Sequence, residues 1–382
     1  MKPEVLINAN FYGVGGRETH LLKLSETLVQ AGASVTIATR VKSSASAQLI
    51  ESLKAIPVRI ISTPFAANSS SLKFSTLWAM AVWPLQLRRR YFNTLYTFDI
   101  SPFTDFLRRF ISSEGKVILN RAGDLMRVEE LPKKNTTLPD LMIVESKMQA
   151  AAVRALFPST LKVLALPMLG NYQTPPKRSI SKPKEILEAA FLGRFDENKG
   201  AFRLLNIWPN LLDKQIRLSF YGHGDRARLQ TAIESQGLSD QVRIKEAWSN
   251  SAELAAIFEQ IDFVILASQT EGLPVVLLES IAHGVPFVAT NVGAIRTLAE
   301  SNPDVLVVQN DADSICEGID KMASSIRSGA VDGKRLQQFA NDKYGYDQLA
   351  EVWQQTLLHR NFELVDLPCE KNRTAEAEIV MQ

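Results

Sequence analysis

The chain has 382 residues with 46% hydrophobic and 22% charged side chains, and its formal net charge is +2 at pH 7. This length and apolar content suit two or three globular domains, no apolar tract is long enough to cross a bilayer, and the small net charge excludes a general electrostatic attraction to nucleic acid. The two cysteines, Cys316 and Cys369, stand far apart and suggest neither a disulfide framework nor a zinc site. The amino terminus leads into a strand after four residues, so we expect a cytosolic protein without an export signal.

Short apolar, β-branched runs alternate with helical stretches through the first half of the chain. The runs that predict strands are residues 5–8, 35–39, 58–61, 94–98, 117–120 and 141–144. Such alternation is typical of a parallel sheet, so we expect an α/β domain over residues 1–170.

The first strand leads into a turn that contains Gly13, Gly15 and Gly16, and a helix is predicted from about residue 18 to residue 30. Backbone N–H groups at a turn of this kind can bind phosphate. The spacing matches neither a Walker loop nor the dinucleotide fingerprint, which needs glycine where Glu18 stands. Taken alone, the turn is a weak signal for phosphate binding.

Residues 72–92 combine aromatic with basic side chains, including the cluster of Arg88, Arg89 and Arg90. This composition is typical of a segment that lies on an anionic membrane. The alternative is a surface helix whose aromatic residues pack on the sheet, with Pro84 breaking any long amphipathic face. The sequence leaves both interpretations open.

Residues 170–184 are rich in proline, lysine and polar residues and lack periodicity, which predicts a linker between domains. Strand-like runs then resume at residues 189–192, 216–221, 242–244, 263–267, 287–289 and 305–308. They predict a second α/β domain over residues 171–345. A helical pattern covers residues 334–360, and residues 361–382 have the composition of a polar, frayed tail.

Charged residues follow the first strand of the second domain. Arg194 and Lys199 flank a turn after Gly193, where two cations could neutralise a diphosphate. Lysine and arginine are common on loops, and taken alone the two cations are better explained by pairing with Asp196 or Glu197.

Later aspartates are explained by helix capping. Gly222 keeps the end of the next strand open, and Asp225 is suited to cap the helix that follows. Asp311 and Asp313 have the D-x-D spacing of some metal sites, but they precede a helical stretch and are better explained as caps. The sequence therefore predicts no metal site.

Two glutamates stand near the start of a later helix. Glu271 follows an apolar strand, and Gly272 leaves backbone N–H groups open to a ligand. Pro274 suits the first turn of a helix, in which Glu279 interrupts an apolar face. A carboxylate there costs several kcal/mol unless a donor meets it, and that donor is either a ligand hydroxyl or a protein group.

Four segments taken together resemble the retaining GT-B glycosyltransferases of glycosyltransferase family 4. They are residues 15–32, 193–200, 220–225 and 270–290, and the resemblance extends from residue 5 to about residue 359. It implies two Rossmann-like, doubly wound domains facing across a cleft, with the acceptor on the first and a nucleotide-diphosphate sugar on the second. It also implies that a helix within residues 346–360 crosses back to the first domain.

The resemblance assigns roles to matching residues. Glu279 matches the acid that binds the donor ribose, and Glu271 matches the acid that contacts the donor sugar. Arg194 and Lys199 match the pair that stabilises the departing diphosphate, so neither metal nor cofactor is expected beyond the donor itself. The donor-binding residues implied by the match are Gly15, Gly16, Gly193, Gly222, Gly272, Leu273, Pro274 and Glu279.

The chain departs from the family pattern at two places. Family members commonly have a histidine after the fourth strand, where this chain reads Phe98, Asp99 and Ser101. We therefore keep Asp99 as a hypothetical catalytic residue. A glycine is usual near Glu246 or Ala247, and its absence leaves the preferred nucleobase open.

The leading hypothesis is a cytosolic, metal-independent retaining glycosyltransferase. It would move a hexosyl-type sugar to a glycan or lipid-linked acceptor in surface polysaccharide biosynthesis, with peripheral contact to the inner membrane face through residues 72–92. A catalytically silent nucleotide-sugar-binding subunit would bind the donor without turnover. A GT-B sugar-nucleotide epimerase would convert the donor without an acceptor.

Overall fold

The computed structural model describes residues 2–11, 15–41, 45–63, 71–87, 91–98, 102–120, 137–157, 160–171 and 184–359. The chain divides into two compact units. Unit 1 comprises Met1–Leu169 with Asp347–Gln382, and unit 2 comprises Gly170–Tyr346. Most of the predicted linker and the polar tail lie outside the described residues.

Unit 1 is built on a parallel sheet. Its strands are β1 (Glu4–Phe11), β2 (Ser34–Val41), β3 (Arg59–Ser62), β4 (Phe92–Thr97), β5 (Ile111–Asn120), β6 (Leu141–Val144) and β7 (Lys162–Ala165). The order in the sheet is β3-β2-β1-β4-β5-β6-β7, and each neighbouring pair is parallel. The first helices are α1 (Gly16–Gln30), α2 (Ala45–Lys54), α3 (Ser71–Leu87), α4 (Pro102–Leu107) and α5 (Lys147–Leu156), and a short 3₁₀ helix, Arg108–Phe110, follows α4.

The core of unit 1 explains why these runs fold as strands. All four residues of β6 are buried, as expected for a parallel strand covered on both faces. One apolar cluster joins Trp83 and Leu87 of α3 to Leu95 of β4 and Phe103 of α4. The sheet and its covering helices therefore share one buried layer.

Pro84 lies inside α3 and does not interrupt its buried face, contrary to the expectation that it would break any long amphipathic face. The helix runs from Ser71 to Leu87 with Pro84 inside it. A proline removes one backbone hydrogen bond and strains the preceding turn, but packing of an apolar face can hold a helix across it. Ala79, Trp83 and Leu87 provide that buried face.

Unit 2 has a second parallel sheet. Its strands are β8 (Leu187–Leu192), β9 (Ile216–Tyr221), β10 (Val242–Lys245), β11 (Phe263–Leu266), β12 (Phe287–Thr290) and β13 (Leu306–Val308). Their order is β10-β9-β8-β11-β12-β13. The helices are α6 (Ala201–Ile207), α7 (Arg226–Ser235), α8 (Ser251–Gln260), α9 (Val275–Ala282), α10 (Arg296–Ala299), α11 (Ala312–Arg327) and α12 (Gly333–Tyr344), and a 3₁₀ helix, Trp208–Lys214, follows α6.

Helix starts in unit 2 follow the predicted chemistry. Asp225 caps α7 by accepting from the Arg228 N–H at 3.2 Å, and Asp311 caps α11 by accepting from the Ser314 N–H at 2.8 Å. Pro274 stands at the N-cap of α9. The capping explanation of Asp311 is confirmed.

The predicted helical stretch near the carboxyl end is two helices, because α12 ends at Tyr344 and α13 (Tyr346–Leu358) starts beyond Gly345. Helix α13 packs within unit 1. Thr94 Oγ1 donates to the carbonyl of Leu357 at 2.7 Å, and Trp353 Nε1 donates to the carbonyl of Pro167 at 2.9 Å. The predicted fold class of two Rossmann-like parallel-sheet domains is confirmed.

Candidate functional site in unit 2

The predicted donor residues of unit 2 gather at the carboxyl edge of its sheet. The strand order reverses between β8 and β11, so the loops that follow these two strands leave the sheet on opposite faces. In open α/β sheets a ligand binds outside the carboxyl ends of the strands at such a switch point. The loop after β8 carries Arg194 and Lys199, and the loop after β11 carries Glu271.

Lys199 and Glu271 form an ion pair across the switch point. Lys199 Nζ donates to both carboxylate oxygens of Glu271 at 2.7 Å, and the side chains are 25% and 7% exposed, respectively. Ser268 Oγ donates to Glu271 Oε1 at 2.7 Å. An ammonium has three N–H donors, so Lys199 retains one for an anionic ligand while the carboxylate stays fully supported.

Hydrogen bonds join the loop after β8 to the loop after β11. Thr270 Oγ1 donates to Asn198 Oδ1 at 2.7 Å, and the Gln269 N–H donates to the Asn198 carbonyl at 2.8 Å. From the next strand, Thr290 Oγ1 donates to the Ser268 carbonyl at 2.6 Å. These contacts restrict the ion pair to one geometry, which is what preorganised charge stabilisation needs.

Arg194 lies on the same loop as Lys199 but has a different partner. Its guanidinium is exposed and lies 3.3 Å from Asp196 Oδ2. Asp196 Oδ1 also accepts from the Lys199 N–H at 2.7 Å. Arg194 therefore pairs with Asp196, which is one of the two explanations offered by the sequence. Its guanidinium faces solvent beside the turn.

Glycines allow the loops to approach each other closely. Gly222 has φ +152°, and a Cβ there would lie 1.8 Å from the Gly193 carbonyl oxygen. Gly293, which follows β12, has φ +59°, and a Cβ there would lie 2.1 Å from the Glu271 carbonyl oxygen. No larger side chain fits either position without moving the backbone.

Glu279 is buried in α9 at 3% exposure and is met by protein groups. Its Oε1 accepts from the Asn171 backbone N–H at 2.9 Å and from Asn171 Nδ2 at 3.0 Å. Ser251 Oγ in turn donates to Asn171 Oδ1 at 2.6 Å. Of the two kinds of donor considered for Glu279, a ligand hydroxyl or a protein group, the protein group Asn171 is the one that meets Oε1.

The remaining predicted residues of the loop between β11 and α9 are packed in place. Gly272, Leu273 and Pro274 are buried, and the Gly272 carbonyl accepts from the Ala294 N–H at 2.8 Å. This loop therefore presents a fixed backbone beside Glu271.

In unit 1, Gly15 is the N-cap of α1, and its carbonyl accepts from the Thr19 N–H at 3.0 Å. Gly16 begins the helix. Gly13 and the hypothetical catalytic residue Asp99 lie outside the described residues. The described part of the predicted phosphate turn is thus a helix amino terminus, where anions are stabilised.

A neutral hydrogen-bonded cluster lies within unit 1. His20 Nδ1 accepts from the Leu169 N–H at 2.8 Å, so Nε2 carries the proton and donates to the Tyr96 hydroxyl at 2.9 Å. Asn120 Nδ2 donates to the same hydroxyl at 2.5 Å, and Trp353 packs against the imidazole at 4.6 Å between ring centroids. Burial lowers the pKa of His20 to about 3 and raises the pKa of Tyr96, so both stay uncharged at neutral pH.

Sequence reasoning missed four residues that support these sites. Ser268 and Gly293 support Glu271, Asn171 meets Glu279, and His20 centres the neutral cluster. Ser268 carried a weak signal, since a small polar residue follows a buried strand. The partners of the other three are distant in sequence, and no local pattern indicates them.

Among the described residues no group of three or more histidine, cysteine, aspartate or glutamate side chains has the arrangement of a metal site. None of the described helices is long and apolar enough to span a bilayer.

Known glycosyltransferases are similar to this chain in sequence and fold. The family model described as glycosyl transferases group 1 matches residues 187–325, which cover β8 to α11 of unit 2. The putative colanic acid biosynthesis glycosyltransferase WcaL of Escherichia coli is 31% identical over 150 residues, 37% of this chain and 37% of WcaL. The chain spans about half the length of the curated relatives it matches.

Two solved structures share the fold. Sucrose-phosphate synthase of Thermosynechococcus elongatus has a TM-score of 0.74 at 16% identity, covering 93% of this chain and 98% of that chain. HepE of Anabaena, solved in complex with UDP and glucose, has a TM-score of 0.70 at 14% identity, covering 92% of this chain and 98% of HepE. Unit 2 therefore contains a glycosyl transferases group 1 domain, within a chain whose fold is that of GT-B glycosyltransferases.

Proposed function

We propose that this chain is a retaining, metal-independent glycosyltransferase of glycosyltransferase family 4 that transfers a hexosyl group from a nucleotide-diphosphate sugar. The observation that carries the proposal is the Lys199–Glu271 pair, fixed at the switch point of the domain that matches the group 1 family. A cation with an open donor and a supported carboxylate suit a departing diphosphate and a sugar hydroxyl, respectively.

In the proposed reaction the bond between the anomeric carbon and the diphosphate oxygen breaks while the acceptor oxygen bonds to that carbon on the same face. The acceptor proton passes to the departing phosphate oxygen. Lys199 and the exposed Arg194 offset the negative charge that grows on that oxygen, in the role that a metal ion has in other transferases. Glu271 orients Lys199 and accepts from a donor-sugar hydroxyl.

The donor is proposed to lie along the carboxyl edge of the unit 2 sheet. The diphosphate would lie beside the loops that Gly193 and Gly222 bring close together, and Glu279 would accept from the ribose hydroxyls in place of Asn171. HepE, which shares the fold, binds UDP, and we propose a uridine nucleotide as the first donor to test. Gly15 and Gly16 at the start of α1 remain a proposed contact to phosphate.

The proposed acceptor is a glycan or lipid-linked glycan of surface polysaccharide biosynthesis. Support comes from the similarity to WcaL, whose name places that protein in colanic acid biosynthesis. This part of the proposal concerns the biological substrate and is tested separately from donor chemistry.

We further propose that α3 contacts an anionic membrane. Phe74, Leu77, Leu85 and Tyr91 are between 64% and 70% exposed, and the opposite face of α3 is buried. A helix that is apolar on its solvent side as well as its core side exposes a surface suited to lipid. In sequence, Lys73 belongs to α3, and the arginines at 88–90, which lie outside the described residues, follow it. These basic residues would attract anionic headgroups to a protein at the cytosolic membrane face.

The donor proposal is tested by thermal shift and hydrolysis with UDP-, GDP-, ADP- and dTDP-sugars, with and without EDTA. Stabilisation by one donor with slow, EDTA-resistant release of its nucleotide supports the metal-independent transferase. Stabilisation without release across candidate acceptors favours the silent binding subunit, and conversion of the sugar without an acceptor favours the epimerase. No stabilisation by any nucleotide sugar contradicts all three.

The membrane proposal is tested by sedimentation with phosphatidylcholine vesicles, prepared with and without phosphatidylglycerol. We expect binding only to the anionic vesicles, and we expect Leu77→Gln with Leu85→Gln to reduce it at least fivefold. The matched control, Ile186→Gln with Leu212→Gln, replaces exposed apolar residues of unit 2 and should leave binding unchanged. Equal losses in both variants would contradict a specific role for α3.

A further inference from the structure

A cavity lies on one face of the unit 2 sheet, and we call it the basic groove. Neither Lys199 nor Glu271 lines it. Its volume is about 270 Å³, and it is lined by β8, β9, β10 and the end of α8. The strand register places its side chains in three cross-strand rows, Glu188 beside Arg217, Ser219 beside Arg243, and Tyr221 beside Lys245. The alternation of side chains along a strand puts all six on the same face.

The basic groove has more positive than negative charge. Its one carboxylate, Glu188, lies 3.5 Å from Arg217 Nη1. Arg243 and Lys245 are exposed, and none of the described residues forms a hydrogen bond or ion pair with either side chain. Two cations without a counter-charge are therefore directed to one small, polar cavity, which favours an anionic ligand.

Uncharged hydrogen-bonding groups complete the lining. Gln241 Oε1 is buried and has no hydrogen-bond partner among the described residues. Burial raises the pKa of Tyr221, so a protonated phenol lines the cavity at neutral pH, and the Ser219 hydroxyl lines it as well. An amide oxygen and two hydroxyls are the groups that recognise sugar hydroxyls, and a bare inorganic anion would not need them.

We propose that the basic groove binds an acidic sugar unit of a glycan. The carboxylate of the sugar would pair with Arg243 and Lys245, and its hydroxyls would contact Ser219, Tyr221 and Gln241. The volume of the groove is just below the range of about 300–1,000 Å³ for drug-sized ligands, which suits one or two sugar units. The choice of a glycan over other anions rests on the proposed glycosyltransferase function.

The basic groove lies next to the candidate donor site. Tyr221 and Lys245 end β9 and β10, and Gly222 of the candidate donor site directly follows Tyr221. A glycan held in the groove thus ends at the sheet edge that carries the proposed donor residues. Binding there would retain an acidic polysaccharide near the site of transfer between successive additions.

The same charges could instead protect the edge of the sheet from pairing with another chain, and that role predicts no saccharide binding. Strand β10 is at the edge of the sheet, and lysine or arginine on an edge strand discourages pairing with another chain. If protection were the whole role, the groove would bind no saccharide, and removal of the charges would promote association of the protein.

The proposal is tested by titration calorimetry of the full chain at low ionic strength with cellobiuronic acid, cellobiose and inorganic phosphate. The acidic disaccharide should bind at least tenfold more tightly than cellobiose, which has a hydroxymethyl group in place of the carboxylate. Arg243→Gln with Lys245→Gln should weaken that binding at least tenfold. The control Lys321→Gln with Lys334→Gln removes the same charge from exposed positions elsewhere in unit 2 and should change it less than twofold.

Three results would overturn the proposal: no difference between the two disaccharides, phosphate binding as tightly as cellobiuronic acid, or equal losses in both double variants. Nucleotide-sugar stabilisation is measured on the same proteins, because the groove residues are outside the proposed donor set. If saccharide binding is absent while nucleotide sugars still stabilise the protein, the groove proposal fails and the proposed function stands. Absent donor stabilisation with intact saccharide binding contradicts the proposed function instead.

Discussion

The two units share a sheet topology but place different chemistry near the point where the strand order reverses. In unit 1 the described residues there form a neutral, buried cluster of His20, Tyr96 and Asn120. In unit 2 the loops carry the ion pair of Lys199 and Glu271. The comparison teaches that a doubly wound sheet supplies only the position. Burial keeps His20 and Tyr96 neutral, whereas pairing with Lys199 lets Glu271, which is also buried, carry charge.

The largest expected effect is on the charged edge of unit 2. We expect Lys199→Ala to lower turnover about a thousandfold, or about 4 kcal/mol, because the departing diphosphate loses a preorganised cation. The measurement is kcat at saturating donor, with the thermal unfolding midpoint recorded on the same protein.

Lys184 offers a matched control for that variant. Lys184 Nζ lies 2.8 Å from Asp262 Oδ1, and these residues precede β8 and β11, at the opposite end of the same two strands. Lys184→Ala should lower the unfolding midpoint and leave kcat unchanged. A similar fall of kcat in both variants would show that Lys199 acts through stability alone.

The second effect tests how closely the loops of unit 2 must approach. Gly293→Ala should reduce the free energy of unfolding by about 3 kcal/mol, because a Cβ at positive φ would collide with the Glu271 carbonyl. Gly329 also has positive φ, +74°, but nothing lies within 4 Å of its Cβ position. Gly329→Ala should cost only the backbone strain of about 1 kcal/mol, so equal losses in denaturant titrations would contradict the steric argument.

The third effect tests the neutrality of the unit 1 cluster. The pKa of His20 is about 3 in the folded chain, against 6.5 when unfolded, so between these values the unfolded chain binds the extra proton. The contribution of neutral His20 is complete above pH 6.5 and is lost as the pH falls towards 3. We expect a loss of about 2 kcal/mol in the free energy of unfolding between pH 6.5 and 4.5.

His20→Gln should remove that part of the pH dependence, and His359→Gln, an exposed histidine of the same unit, should retain it. Trp353 packs against His20 and reports the transition by its fluorescence. An unchanged slope in His20→Gln would assign the acid sensitivity to other groups.

The smallest expected effect concerns Glu279. Glu279→Gln should weaken donor binding about tenfold, or about 1.4 kcal/mol, because a neutral amide accepts less strongly from ribose hydroxyls. The side chain keeps an oxygen for Asn171, so folding should change little. Normal donor affinity by calorimetry would leave Glu279 as a structural residue held by Asn171.

The amino-acid sequence determined the local features of this protein. Alternating apolar runs predicted two parallel-sheet units, Pro274 predicted the start of α9, and Asp225 and Asp311 predicted helix caps. The positions of Lys199 and Glu271 at strand ends were also predicted. Each of these follows from residues within a few positions of one another, where periodicity and capping rules apply.

Only the tertiary structure decided which distant groups meet. Glu271 lies 72 residues from Lys199, and Glu279 lies 108 residues from Asn171, so no local pattern could pair them. Packing of Trp83 and its neighbours kept α3 continuous through Pro84, and strand register assembled the basic groove. Contacts of this kind depend on how all the elements of a unit pack together. Sequence periodicity predicts single helices and strands but not which of their residues meet.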